Sequence, residues 1–134
     1  MTPIETINAP GLPIPAGHYS HATRAGNLVC VSGQLPMRAD GTHTGDRPFD
    51  EQAEQALRNL RTVLEAAGGG LKDCMEVTVY LVGVEHWKTF NEIYERHFGA
   101  WKPARAVVPV GALHYGSAGD IGARVDRARL GEVE

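Results

Sequence analysis

Between Asp50 and Ala67 the apolar residues Ala53, Ala56, Leu57, Leu60, Val63, Leu64 and Ala67 recur at three- and four-residue intervals. That spacing gathers them into one stripe of an α-helix, with Glu54, Arg58 and Arg61 on the other side. A one-sided helix of this length has to lay its stripe on another layer, so the rest of the chain must supply the surface that receives it. Its stop is equally legible. Gly68-Gly69-Gly70 follows at once, and glycine accepts the left-handed conformation in which helices end. Just beyond, Val77, Val79 and Leu81 alternate with Glu76, Thr78 and Tyr80, the period-two pattern of a strand with two distinct faces.

The other segments supply the remaining layers. Residues 19–25 and 28–32 read as extended, and Gly26-Asn27 between them is a hairpin turn signal. The run Leu28-Val29-Cys30-Val31 is continuously apolar, as in a strand covered on both faces. Residues 36–48 form a polar loop around Asp40-Gly41. A second helix is expected from about Glu85 to Phe98, with Trp87, Phe90, Ile93, Tyr94 and Phe98 on its inner side. Strands follow at Ala104–Val110, rich in valine, and at Asp120–Val125, with a loop over 111–119. Pro109 cannot donate to a sheet ladder, so its strand should be an edge or bulged there. The first 18 residues hold Pro3, Pro10, Pro13 and Pro15, which exclude a helix or a central strand and leave an extended arm. The resulting order is ββαβαββ: an α+β fold with a single mixed sheet and both helices on one face. The bare opposite face is apolar, and such a face is ordinarily met by another subunit.

At 134 residues the chain has the size of one domain, residues 1–134 with the arm at 1–18. Folding can bury about two-thirds of its surface, enough for a core without staples. The net charge of −3 excludes an electrostatic nucleic-acid binder as the default. A mean hydropathy of −0.24, with no run near the roughly 20 apolar residues of a membrane span, argues for no membrane partner. No secretory signal is read at the N-terminus, and two cysteines make neither a disulfide framework nor a zinc spacing. A cytoplasmic protein is expected.

Few residues carry chemistry. Arg105 lies among small and branched apolar neighbours, and a guanidinium there must find an anion or reach water. Two readings stand side by side: an internal ion pair with Asp120 or Glu76, or a two-pronged grip on a carboxylate ligand. Asp120 is either a strand-edge carboxylate or, beside Arg105 in a cleft, a group that deprotonates water. His18 and His21 sit three apart in an extended segment, poor geometry for sharing a metal, and no ligand cluster completes a metal site. His114 lies in a loop from which it can reach a site, while His43, His86 and His97 read as surface or helix residues. Ser32 lacks the Gly-x-Ser-x-Gly elbow of a nucleophile, and Cys30 and Cys74 read as packing thiols. The three glycines after the first helix are a helix stop, with no Gly-Lys-Ser/Thr to make a phosphate loop.

Together these stretches resemble the RidA/YjgF family, also called endoribonuclease L-PSP-like. The resemblance rests on Asn8-Ala9-Pro10, Gly17-His18-Tyr19-Ser20, Gly26-Asn27-Leu28-Val29, Val31-Ser32-Gly33-Gln34, the helix from Glu51 to Gly68, MEVTVYLV, FNEIYERHFG and Pro103-Ala104-Arg105. It runs from about residue 8 to 126 in unbroken order. It implies a chorismate-mutase-like fold assembled as a homotrimer around a central β-barrel, with clefts between subunits. It also implies hydrolysis of enamine/imine intermediates such as 2-aminoacrylate to 2-keto acids and ammonia, with no metal and no cofactor.

By that resemblance Arg105 is the substrate-carboxylate arginine, Tyr19 lines the cleft, and Asp120 stands where deaminating members carry a glutamate that handles water. Ser32, Gly33 and Asn91 match positions in or near the cleft. His18, His21, Ala106 and His114-Tyr115 depart from the usual residues around it. A deaminase, a non-catalytic binder of 2-keto acids and a pathway-specific hydrolase with an altered cleft all remain open. A ribonuclease finds no basic stripe to support it.

Overall fold

The computed structural model describes residues 3–126, and the backbone alone over 120–126. Strands β1 (Glu5–Ile7), β2 (Ala22–Ala25) and β3 (Leu28–Gln34) precede helix α1 (Phe49–Ala66). Strand β4 (Cys74–Val82), helix α2 (Trp87–Phe98), strand β5 (Ala104–Val110) and strand β6 (Gly119–Asp126) complete the chain. The expected α+β order is present, with one addition. The arm contributes β1, whose Glu5, Thr6 and Ile7 pair with Arg24, Thr23 and Ala22 at the edge of the sheet. Its prolines lie outside those three residues, so the ladder keeps its donors.

The six strands run in the order β1-β2-β3-β6-β4-β5. Only β4 and β5 are parallel neighbours, and every other pair is antiparallel. Because β6 lies antiparallel between β3 and β4, those two strands share a direction as well. Each of the two same-direction steps needs a crossover, and α1 and α2 supply them. Pro109 lies on the outermost strand, where its missing donor costs nothing.

The core lies between the helices and one sheet face. Leu57, Leu60, Val63 and Leu64 of α1 and Phe90 and Ile93 of α2 meet Val29, Val77, Val79 and Leu81 of the sheet, all buried. Gly68, at φ +95°, turns the chain out of α1 while Gly69 N–H donates to Leu64 C=O at 2.9 Å. The opposite face is open in the single chain. Leu28 and Cys30 of β3, Tyr80 of β4 and Val108 of β5 all present exposed side chains there. Cys30 is thus a surface thiol of the subunit rather than a packed one. Cys74 is fully buried, and burial pushes its thiol up to about 12. No helix of the described residues is long and apolar enough to cross a membrane.

Leu60 is at 0% exposure in the middle of this layer. Leu60→Ala is expected to lower stability by about 2–5 kcal/mol, read as a fall in urea midpoint at unchanged slope.

Candidate active site

Arg105 pairs in register with Val77, so it rises from the edge strand on the helix side of the sheet. There it meets α2. Its guanidinium carbon is 4.9 Å from the Trp87 ring centroid and 4.7 Å from that of Tyr94. Nη1 donates to Oδ1 of Asn91 at 3.0 Å. Trp87, Asn91 and Tyr94 follow the i, i+4, i+7 spacing that puts three side chains on one helix face. Trp87 is therefore a rim residue, 43% exposed, rather than part of the inner side expected from sequence.

Among the described residues no carboxylate forms an ion pair with Arg105, and Glu76 makes none. Two π-faces and a neutral amide hold the cation in place, and none of them neutralises it. Tyr94 is buried beside it. Burial pushes that phenol up to about 12, while the neighbouring guanidinium pulls in the opposite direction. Asp120 pairs with Tyr80 in the ladder of β4 and β6, and its side chain lies outside the described residues.

The other candidates gather elsewhere. A groove of about 290 Å³ is lined by Tyr19, Gly33, His114 and Tyr115 together with residues 12–17 of the arm. Ser32 lies beside it in the chain, its hydroxyl donating to the Ser20 carbonyl at 2.7 Å and its N–H to the His21 carbonyl at 2.9 Å. Three sheet spacings separate β3, which carries Ser32 and Gly33, from β5, which carries Arg105, or about 14 Å. One chain therefore holds the candidate residues in two separate groups.

His21 and Asn59 both build the groove, and of the two only Asn59 carried no sequence signal of function. His21 is buried, and both ring nitrogens are engaged: Nδ1 accepts from Ala9 N–H at 2.9 Å, and Nε2 faces the Pro13 carbonyl at 3.0 Å. A carbonyl only accepts, so Nε2 carries the proton and Nδ1 does not. The His21 N–H in turn donates to Oδ1 of Asn8. These bonds hold the proline-rich arm as the groove's wall. Asn59, buried in α1, donates to the carbonyls of Leu35 and Met37 and fixes the groove's floor. Three further histidines are engaged, His97 with Glu54, His86 stacked on Phe49 and His43 stacked on Tyr115, while His18 is exposed. Among the described residues no three His, Cys, Asp or Glu side chains group to hold a metal ion.

A family model for endoribonuclease L-PSP matches residues 7–123. The chain belongs to that family. It is 38% identical over 109 residues to a RutC family protein of Pyrococcus horikoshii, covering 81% of this chain and 86% of the relative. It is 32% identical over 113 residues to a protein of Dermatophagoides farinae named 2-iminobutanoate/2-iminopropanoate deaminase, covering 84% and 88%. Among solved structures it superposes on Escherichia coli TdcF with bound serine at a TM-score of 0.86. The identity there is 27%, over 92% of this chain and 98% of that one. Membership in the endoribonuclease L-PSP family fits the observed order of strands and helices and the RidA/YjgF motifs read from the sequence.

The role of His21 is checked by two substitutions. Glutamine retains one acceptor and one donor, so His21→Gln should keep the arm seated. His21→Leu strands the Ala9 N–H and the Pro13 carbonyl, a loss of about 1–3 kcal/mol. Amide exchange at Ala9 should rise steeply in the leucine variant and little in the glutamine variant.

Proposed function

We propose that this chain hydrolyses small carboxylate-bearing imines and their enamine tautomers to 2-keto acids and ammonia. The clefts that do so form between copies of the chain in a homotrimer. The observation that carries the reading is the guanidinium of Arg105, held rigidly by Trp87, Tyr94 and Asn91 with no ion-pair partner among the described residues. Such a group is a preorganised clamp for a ligand carboxylate, and the amide and rings remove its freedom before the ligand arrives. The imine deaminase name of one relative and the serine bound to another support a ligand with an α-carboxylate.

Assembly joins these two groups of residues. A second copy laid against the β5 edge would bring its own Tyr19, Ser32, Gly33 and His114 toward Arg105, and its contact would cover the open sheet face. In the cleft, Arg105 binds the carboxylate and orients the C=N carbon beside it. That carbon is electrophilic once the nitrogen is protonated, so the enzyme's work is positioning and proton transfer. Asp120 accepts a proton from water as the oxygen adds to the carbon, giving a carbinolamine. The proton passes to nitrogen, the C–N bond breaks, ammonia leaves with the bonding pair, and loss of the hydroxyl proton yields the ketone. Tyr19 supplies a phenolic hydrogen bond at the same centre.

Ammonia release from 2-aminoacrylate generated in situ tests the chemistry. Arg105→Ala is expected to lose about 100-fold in kcat/KM, the value of a charge-assisted clamp. Arg105→Lys should stay well below the wild type, because a point charge cannot grip two oxygens. Asp120→Asn should lose about 100-fold or more with ligand binding retained. Pyruvate binding without any turnover would replace the enzyme by a binding protein.

A separate measurement tests the assembly. Sedimentation should give three times the 14.5 kDa chain mass. In the native trimer neither thiol should react at neutral pH, since Cys74 is buried and Cys30 lies on the face that assembly covers. One fast thiol per chain together with a monomer mass would sink the cleft.

A further inference from the structure

The groove beside Tyr19 has one wall that the fold does not need. Tyr115 is the only non-glycine residue among those described with positive φ, at φ 60° and ψ 26°. L residues rarely adopt that conformation, and it persists where the surroundings over-determine it. Here they do. A Cβ on Gly45 would come within 2.1 Å of the Tyr115 carbonyl oxygen, so only glycine lets the two backbones meet this closely. The Tyr115 ring lies 3.7 Å from the His43 ring, nearly parallel at 12°. Yet Tyr115 is 53% exposed. Strain, a forced glycine and a stacked partner thus hold a flat aromatic surface that adds nothing to the core. Tyr115 lines the same groove as Tyr19, Gly33 and the aliphatic arm residues Leu12 and Ile14.

The imine reading predicts what enters. The side chain of 2-aminoacrylate is a single methylene, which leaves a groove of about 290 Å³ almost empty. A ring on that carbon would fill it. Aromatic rings favour offset-stacked or tilted contacts with centroids about 4.5–7 Å apart, and Tyr115, stacked on His43 and with the His114 ring tilted at 5.9 Å, keeps half its surface open to receive one. We infer that the preferred substrates are 2-imino acids with aromatic side chains, and that Tyr115, backed by His43, is the specificity-determining residue. This inference rests on the deaminase reading and adds the substrate class to it.

The test uses imines made in situ from phenylalanine, leucine and alanine by an L-amino-acid oxidase, with hydrolysis followed against trapping by semicarbazide. The intact protein should favour the phenylalanine-derived imine over the alanine-derived one by about 10- to 100-fold, the range a filled apolar pocket supplies. Tyr115→Ala should bring the two within about threefold, through loss on the aromatic imine. Tyr115→Phe, which keeps the ring, should retain the preference. His43→Ala should raise KM for the aromatic imine more than it lowers kcat.

A leucine-derived imine preferred over the phenylalanine-derived one would overturn ring recognition in favour of a plain apolar pocket. Equal rates on the aromatic and alanine-derived imines would overturn the inference and leave the deaminase standing. No turnover of any imine would remove both. Folding of each variant is checked by its urea midpoint, so a lost preference at an unchanged midpoint supports the specificity role.

Discussion

Strands that run in the same direction need a crossover between them, and this sheet contains two such steps. The chain answers both with helices, α1 between β3 and β4 and α2 between β4 and β5. Both helices land on one side, so the sheet has one face sealed by leucines and aromatics and one face left to other contacts. The same constraint decides where Arg105 stands. The last crossover delivers β5 to the outside of the sheet, and α2 arrives directly above that edge. A cation near the start of that strand has one flank against the helix and the other at the open edge of the sheet.

Much of this was legible from residue patterns. The stripe of α1 and its glycine stop, the strand Ala104–Val110 and the edge position of Pro109 follow from periodicity and from one missing donor. Other features lay beyond local pattern. The strand β1 is three residues long and pairs across a gap of more than a dozen, so nothing in its own composition announces it. Trp87 carries the helical spacing of a core residue, but the sheet ends beneath it and leaves it at the rim. Tyr115 reads as an ordinary loop residue, and its backbone conformation depends on Gly45, seventy positions earlier.

The site was legible by residue type but not by arrangement. Arg105 stood out because an ionised group among valines demands an explanation. Its cradle did not, since Trp87, Asn91 and Tyr94 belong to another element and converge only through tertiary packing. His21 shows the reverse case. As a histidine near Tyr19 it invited a chemical role, whereas its two ring nitrogens are spent on the arm's backbone. Its contribution is a fixed wall, which a groove made of proline-rich chain would otherwise lack: prolines donate no hydrogen bonds of their own.

The choice of partners around Arg105 carries its own argument. A carboxylate beside the guanidinium would hold it as firmly as Asn91 does, but would also neutralise it and compete with an arriving acid. An amide oxygen orients one N–H and leaves the remaining donors and the full charge available. The aromatic faces stabilise the cation through their quadrupoles, again without supplying a counter-charge. These contacts anchor the side chain without supplying a counter-ion. Neutral partners leave that charge unmatched among the described residues, which is what the proposed carboxylate clamp requires.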